Sequence, residues 1–328
     1  MKKILEKLFK HVKLTEEEAK DILVRISSRE FTNAQVMAFM AVYQMRPISV
    51  DELRGFRKAL LELCIKVDFS EFDTIDMCGT GGDGKNTFNI STLASFIVAG
   101  AGYKVAKHGN YGVSSISGSS NVLEAMGYNF TNNENILKDQ LRDANITFLH
   151  APKFHPAMAA VGPIRKELGM KTFFNMLGPI VNPSFPNNQF TGVFSLELGR
   201  LYQYLFQKEK NKRYAIIYGL DGYDEISLTG DFIVRDNDGE HLFAPYDLGL
   251  QMIKQEQIHG GNTIDEAAEI FKNILRGKGT IAQNNVVCAN AAMAIKVMNK
   301  KAYTECFEEA KESLLGGNAL KALELIIK

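Results

Sequence analysis

The chain carries no excess of charge of either sign. Lys and Arg together number 38, as do Asp and Glu, so the net charge is zero. A general binder of nucleic acid or of membrane surfaces usually carries a basic excess. No nucleic acid and no membrane is therefore expected as a partner, and any anion site must be local. Cysteine is sparse as well. Cys64, Cys78, Cys288 and Cys306 form no close-spaced pair, which speaks against a zinc site or a disulfide framework and fits free thiols in a reducing compartment. Long apolar runs are missing: no stretch would span a bilayer. The opening Met1-Lys2-Lys3-Ile4-Leu5-Glu6-Lys7 is broken by charge where a signal peptide would be apolar. A cytoplasmic location is expected. Histidines number only six, and no Ser, Cys or Thr sits in an elbow motif, so no covalent nucleophile is expected.

What is present suits a protein with a real core. The chain has 328 residues, enough for two domains, with 45% hydrophobic and 23% charged residues. The first seventy or so residues read as helices. Thr15 with Glu18, Thr32 with Gln35, and Ser49 with Glu52 each carry the capping-box pattern that opens a helix. Beyond them, short apolar runs alternate with helical patterns. Strands are expected at residues 74–78, 103–106, 147–150, 189–194 and 213–218. Helices are expected at 92–101, 120–126, 136–144 and 197–209. Such alternation predicts an α/β core around a mostly parallel sheet. The pattern between 164 and 186 turns helical again and ends in a run rich in Pro and Asn. The expected domains are a helical one, 1–69, to which 165–188 crosses back, and an α/β one, 70–164 and 189–328. The tail is helical from Thr263, which with Glu266 makes a fourth capping pattern. Residues 231–258 read as a peripheral hairpin without assigned function.

Four loops carry candidate chemistry. Gly79-Thr80-Gly81-Gly82-Asp83-Gly84 lies between a strand and a helix. Glycines let backbone N–H groups crowd an anion, and the helix start adds free N–H groups and a positive dipole end. Alone, the turn is as readily a plain connection. Thr87, Ser91 and Thr92 behind it supply hydroxyls, and Ser91 is also a possible oxygen ligand for Mg2+. The second loop is Lys107-His108-Gly109-Asn110 followed by a serine-rich run to Ser120. Sites in parallel sheets lie at the carboxyl ends of strands, so these loops should be neighbours and suit a pyrophosphate. The third, Asp224-Glu225 after a strand, suits Mg2+, although such pairs are often solvated turns. In the fourth, His155 and Arg165 could meet an aromatic or carboxylate ligand, with Arg165 forking onto a carboxylate. The set describes a transferase that works by positioning and charge stabilisation.

In order and spacing, these runs together with residues 122–125, 174–183, 219–230 and 284–292 resemble the anthranilate phosphoribosyltransferases of tryptophan biosynthesis. The resemblance implies a nucleoside-phosphorylase-type fold, with a small helical domain hinged to a larger α/β domain and a homodimer formed through the helical domain. It implies that anthranilate and phosphoribosyl pyrophosphate give phosphoribosyl-anthranilate and pyrophosphate, with Mg2+ as cofactor. By the same resemblance Gly79, Gly82, Asp83, Thr87, Asn89, Ser91, Thr92, Lys107 and Ser119 would hold phosphoribosyl pyrophosphate. Ser91, Asp224 and Glu225 would ligate Mg2+. Gly79, Asn110, His155 and Arg165 would face anthranilate. Three positions depart from the common pattern: Tyr111 stands for an Arg, Ile116 for a Lys and Asn121 for an Asp. The alternatives are a pyrimidine nucleoside phosphorylase, or a non-catalytic nucleic-acid-binding relative of the same fold.

Overall fold

The computed structural model describes residues 1–112 and 116–327; residues 113–115 of the serine-rich loop lie outside the described residues. The chain opens with helices α1 (Lys2–Phe9), α2 (Glu16–Ser27), α3 (Asn33–Met45) and α4 (Val50–Leu63). At Thr15, Thr32 and Ser49 the hydroxyl accepts the N–H three residues on, and that residue's side chain accepts the cap's own N–H. Two orphaned donors are thus satisfied at each helix start. The Glu52 carboxylate that closes the third box is fully buried. It also takes the Leu14 N–H and the Arg46 guanidinium. Phe39, Tyr43, Phe56 and Phe173 stack edge and face around one another beside it.

Strand β1 (Thr74–Met77), α5 (Ile90–Gly100), β2 (Lys104–Gly109), α6 (Ser119–Ala125), α7 (Glu134–Ala144) and β3 (Ile146–His150) follow. The chain then forms α8 (Ala151–Phe154), α9 (Pro156–Leu168) and two 3-10 turns, Phe173–Met176 and Gly178–Ile180. It resumes with β4 (Asn188–Gly192), α10 (Leu196–Phe206), β5 (Arg213–Gly219), and the hairpin β6 (Phe232–Asp236) and β7 (Gly239–Phe243). Helices α11 (Ile264–Asn273), α12 (Ile281–Met298), α13 (Tyr303–Leu315) and α14 (Asn318–Ile326) end it.

The chain clusters into two compact units. The helical unit is Met1–Val67 with Ala151–Phe185, and the α/β unit is Asp68–His150 with the chain from Pro186 on. The helical segment that returns begins at Ala151, earlier than the expected residue 165. The reason is local: the Phe154 carbonyl accepts the Ile65 N–H at 2.8 Å, and α9 packs on α2, α3 and α4.

The α/β unit holds a seven-stranded sheet in the order β3-β2-β1-β4-β5-β6-β7. Neighbours from β3 through β5 run parallel, and β6 and β7 are antiparallel. Strands β1, β3 and β4 are buried at every residue, as expected of parallel strands covered on both faces. Helix α5 is buried all round from Thr92 to Ala99, which is why its sequence shows an apolar run rather than a stripe. Helix α12 packs against it. At α11 the Thr263 hydroxyl accepts the Glu266 N–H at 3.1 Å, but the Glu266 carboxylate takes the Asn262 N–H at 2.7 Å. The fourth box is therefore shifted by one residue on its return side.

Candidate active site

Strand β1 lies between β2, which follows it, and β4, which comes after the excursion into the helical unit. The strand order reverses here, and the crevice at the carboxyl ends of such strands is where α/β sheets bind ligands. The glycine turn springs from this point. Gly81, Gly82 and Gly84 have φ of 59°, 76° and 75°, left-handed values that side chains resist. The Thr80 N–H donates to the Gly192 carbonyl at the end of β4 at 3.0 Å. A Cβ on Gly192 would overlap the Asp224 carbonyl, so β4 can end against the loop that carries the acids only as glycine.

That loop closes on the turn. Asp224 Oδ2 accepts the Gly81 N–H at 2.7 Å. Glu225 Oε1 accepts the Ser91 N–H at 3.0 Å, and its Oε2 accepts from Thr87 Oγ1 at 3.4 Å. The carboxylates thus hold N–H groups of the glycine turn and of the α5 start. Burial, together with the Asp83 charge, pushes the Asp224 carboxyl up to about 7. Burial, with Asp224 and Asp83 beside it, holds Glu225 well above the usual carboxylate range. Burial also raises Asp83, whose Oδ1 accepts the Lys85 N–H at 3.0 Å. Clustered acids strained in this way are suited to a divalent cation, because Mg2+ takes hard oxygen ligands. Among the described residues no three carboxylate, imidazole or thiol side chains surround one point.

The serine-rich loop is tied to the start of α5: Asn89 Nδ2 donates to the Ser117 carbonyl at 2.9 Å. Ser119 Oγ donates to the Asn110 carbonyl at 3.2 Å. Lys107 does not reach out from this loop. It lies within β2, is 2% exposed, and its Nζ donates to the Met77 carbonyl at the end of β1. Burial pulls its pKa down, while the Cys78, Asp76, Glu225 and Asp224 charges oppose that. Thr92 is buried in α5. His155 and Arg165 lie in the helical unit. His155 is buried as the residue before α9. Arg165 Nη2 donates to Asn175 Oδ1 at 3.2 Å, and its guanidinium lies over Phe174. Burial draws the Arg165 pKa down, and among the described residues no carboxylate pairs with it.

Comparison with known proteins follows the same division. The glycosyl transferase family, helical bundle domain, matches residues 2–64, and the glycosyl transferase family, a/b domain, matches residues 71–320. The anthranilate phosphoribosyltransferase of Flavobacterium johnsoniae is 60% identical over 324 residues, 99% of this chain and 98% of its own. This chain belongs to the anthranilate phosphoribosyltransferase family. The enzyme of that name from Bacteroides fragilis is 50% identical over all of this chain and 99% of its own. Among solved structures, anthranilate phosphoribosyltransferase from Thermus thermophilus matches with a TM-score of 0.89 at 30% identity, over 98% of both chains. The Saccharomyces cerevisiae enzyme in complex with phosphoribosyl pyrophosphate and Mg matches with a TM-score of 0.90 at 29% identity, over 98% of this chain and 95% of that one.

The three departures from the common anthranilate phosphoribosyltransferase pattern find partners here, or none. Tyr111 donates to Glu124 at 2.6 Å and sets its ring edge-on to His150 at 4.8 Å. Asn121 Oδ1 accepts the N–H groups of Gly112 and Gly118 at 2.9 and 3.0 Å, and so draws the two sides of the loop together. Ile116 is exposed, and nothing in the structure explains it. Sequence reasoning missed Asn290, fully buried in α12. Its amide accepts the Ile226 N–H at 3.1 Å and donates to the Ile226 carbonyl at 2.9 Å, fixing the residue after the acidic pair. Its sequence signal is one amide inside an otherwise apolar run.

Proposed function

We propose that this chain transfers the phosphoribosyl group of phosphoribosyl pyrophosphate to the amine of anthranilate, releasing pyrophosphate, in tryptophan biosynthesis. The observation that carries the reading is the grip of Asp224 and Glu225 on the N–H groups of Gly81 and Ser91 at the strand-order reversal. An acidic pair and an anion cradle share one place there, as a metal-bound pyrophosphate requires. The relatives support the choice of substrates: the yeast enzyme has been solved with phosphoribosyl pyrophosphate and Mg, and with 4-fluoroanthranilate.

In this reading the turn from Gly79 to Asp83, with Thr87, Asn89, Ser91, Thr92 and Ser119, binds phosphoribosyl pyrophosphate. Asp224, Glu225 and Ser91 would hold Mg2+, which when bound neutralises charge on the leaving pyrophosphate. Turn and helix N–H groups stabilise the same charge as the ribose-to-pyrophosphate bond loosens. Lys107, whose Nζ donates to the Met77 carbonyl at the end of β1, belongs to the same set and adds its charge to it. Gly79, Asn110, His155 and Arg165 orient anthranilate, with Arg165 pairing its carboxylate. An aryl amine is neutral near pH 7, so no strong base is needed. A cytoplasmic homodimer, joined through the helical unit, completes the proposal.

The test is direct. Purified protein with Mg2+, phosphoribosyl pyrophosphate and anthranilate should consume anthranilate fluorescence. Phosphorolysis of thymidine or uridine without that consumption would instead make it a pyrimidine nucleoside phosphorylase.

A further inference from the structure

A segment distant in sequence braces the stretch between the glycine turn and α5. The Gly260 N–H donates to the Asn86 carbonyl at 2.8 Å, and the Phe88 N–H donates to the Ile258 carbonyl at 3.3 Å. Between these bonds Thr87 and His259 form an isolated antiparallel bridge. The approach is as close as backbones allow, since a Cβ on Gly260 would overlap the Thr87 carbonyl. The side chains extend the join. Asn86 Nδ2 lies 2.8 Å from the Gly261 carbonyl and 3.1 Å from His259 Nε2, and the Gly261 N–H lies 3.2 Å from His259 Nδ1. A neutral imidazole accepts at one nitrogen only, so the ring serves Asn86 or Gly261 at a given moment. The Gly261 carbonyl serves Asn86 in either case.

The braced residue matters for the site. Thr87 donates to Glu225 at 3.4 Å, and Ser91, one helical turn further, donates to the same carboxylate. Residues 84–89 have no strand or helix of their own apart from this bridge. Their path from the glycine turn to α5 is therefore set by what they lean on.

We propose that His259 and Gly260 are positioning residues for phosphoribosyl pyrophosphate: residues 258–261 fix the backbone of Asn86 and Thr87, and through Thr87 the Glu225 carboxylate. The inference rests on the proposed transferase reading. It predicts an effect on one substrate alone, because the brace bears on Asn86 and Thr87, on the phosphoribosyl pyrophosphate side of the proposal.

The experiment is steady-state kinetics on the full chain, with calorimetry of inorganic pyrophosphate and Mg2+ as a readout independent of turnover. His259 is exposed, so His259→Ala should fold. The KM for phosphoribosyl pyrophosphate should rise roughly five-fold, the worth of one neutral hydrogen bond, and pyrophosphate affinity should fall by about the same factor. The anthranilate KM should stay within about two-fold of wild type. His259→Gln, which keeps a polar atom near the Nε2 position, should recover most of the loss. Gly260→Ala should act in the same direction and more strongly. Unchanged pyrophosphate affinity, an equal rise in both KM values, or no recovery with Gln would overturn the proposal. If wild type itself fails to turn over the two substrates, the transferase reading has failed; in that case unchanged pyrophosphate binding in His259→Ala would overturn the brace separately.

Discussion

Asp224 accepts the Gly81 N–H at 2.7 Å, so a carboxylate of the chain already occupies a donor that a phosphate oxygen would use. Pyrophosphate and this carboxylate compete for the same hydrogen, and two anions a few ångströms apart repel. A cation resolves the conflict, because the carboxylate can turn to the metal and leave the N–H free.

The double variant Asp224→Asn with Glu225→Gln should therefore uncouple the two ligands. Without metal it should bind inorganic pyrophosphate at least about ten-fold more tightly than wild type, a difference of about 1.4 kcal/mol. Adding Mg2+ should improve its affinity far less than that of wild type. Titration calorimetry in chelator and in excess Mg2+ gives both numbers. An equal gain from Mg2+ in the two proteins would show that these acids neither block the cradle nor hold the ion.

Arg165 should act on the other substrate. Its guanidinium is half-buried over Phe174 and bonded to Asn175, and among the described residues no carboxylate pairs with it, which leaves its charge for an incoming anion. Arg165→Ala should raise the KM for anthranilate by roughly ten-fold to a hundred-fold, the worth of a charge-assisted bond of about 1.5–3 kcal/mol. The KM for phosphoribosyl pyrophosphate should change little. Initial-rate measurements with each substrate varied in turn decide it, and equal effects would remove Arg165 from the anthranilate side.

How much of this was legible beforehand depended on the range of the interactions. The boxes at Thr15, Thr32 and Ser49 are local hydrogen bonds, and they form as the sequence spells them. The helix expected at 92–101 forms as α5, Ile90–Gly100, within about two residues at its start. Lys107 was harder. Residues 103–106 read as a strand, but β2 continues to Gly109 and carries Lys107 within the sheet. Strand ends are set by pairing, here Lys107 opposite Phe148 and Gly109 opposite His150, and no local signal gives that register. The brace at His259 and the partner of the Asn290 amide were illegible for the same reason. Each acts on residues far away in sequence, 173 positions for Asn86 with His259 and 64 for Ile226 with Asn290.

Asn290 should prove to be part of the site's framework. Its amide satisfies both polar groups of the Ile226 backbone in a fully buried setting. Asn290→Ala strands an N–H and a carbonyl, each costing about 1–3 kcal/mol when buried without a partner. Urea unfolding should show a loss of about 2–6 kcal/mol. The variant's remaining activity should need more Mg2+ than wild type, because Ile226 follows Glu225. A loss below about 0.5 kcal/mol, the range of neutral surface changes, would mean that the loop stands without this amide.

The helical unit offers a pH test whose sign is fixed by Glu52. Burial pushes this carboxyl up, but bonds from Arg46, the Leu14 and Ser49 N–H groups, and the Arg46 charge outweigh it, leaving the pKa below its ordinary 4.5. A carboxylate whose folded pKa is depressed stabilises the fold at higher pH, and that contribution is lost as pH falls from about the ordinary value through the folded one. Glu52→Gln keeps the size and an acceptor oxygen but removes the charge facing Arg46. Breaking a buried pair from one side costs about 3–5 kcal/mol, so the variant should unfold at much lower urea at pH 7. The gap should narrow below about pH 4.5, because protonation removes from wild type what the substitution has already removed. A gap that stays constant between pH 7 and pH 3.5 would show that the Glu52 charge contributes nothing and that its value lies in shape and neutral hydrogen bonds alone.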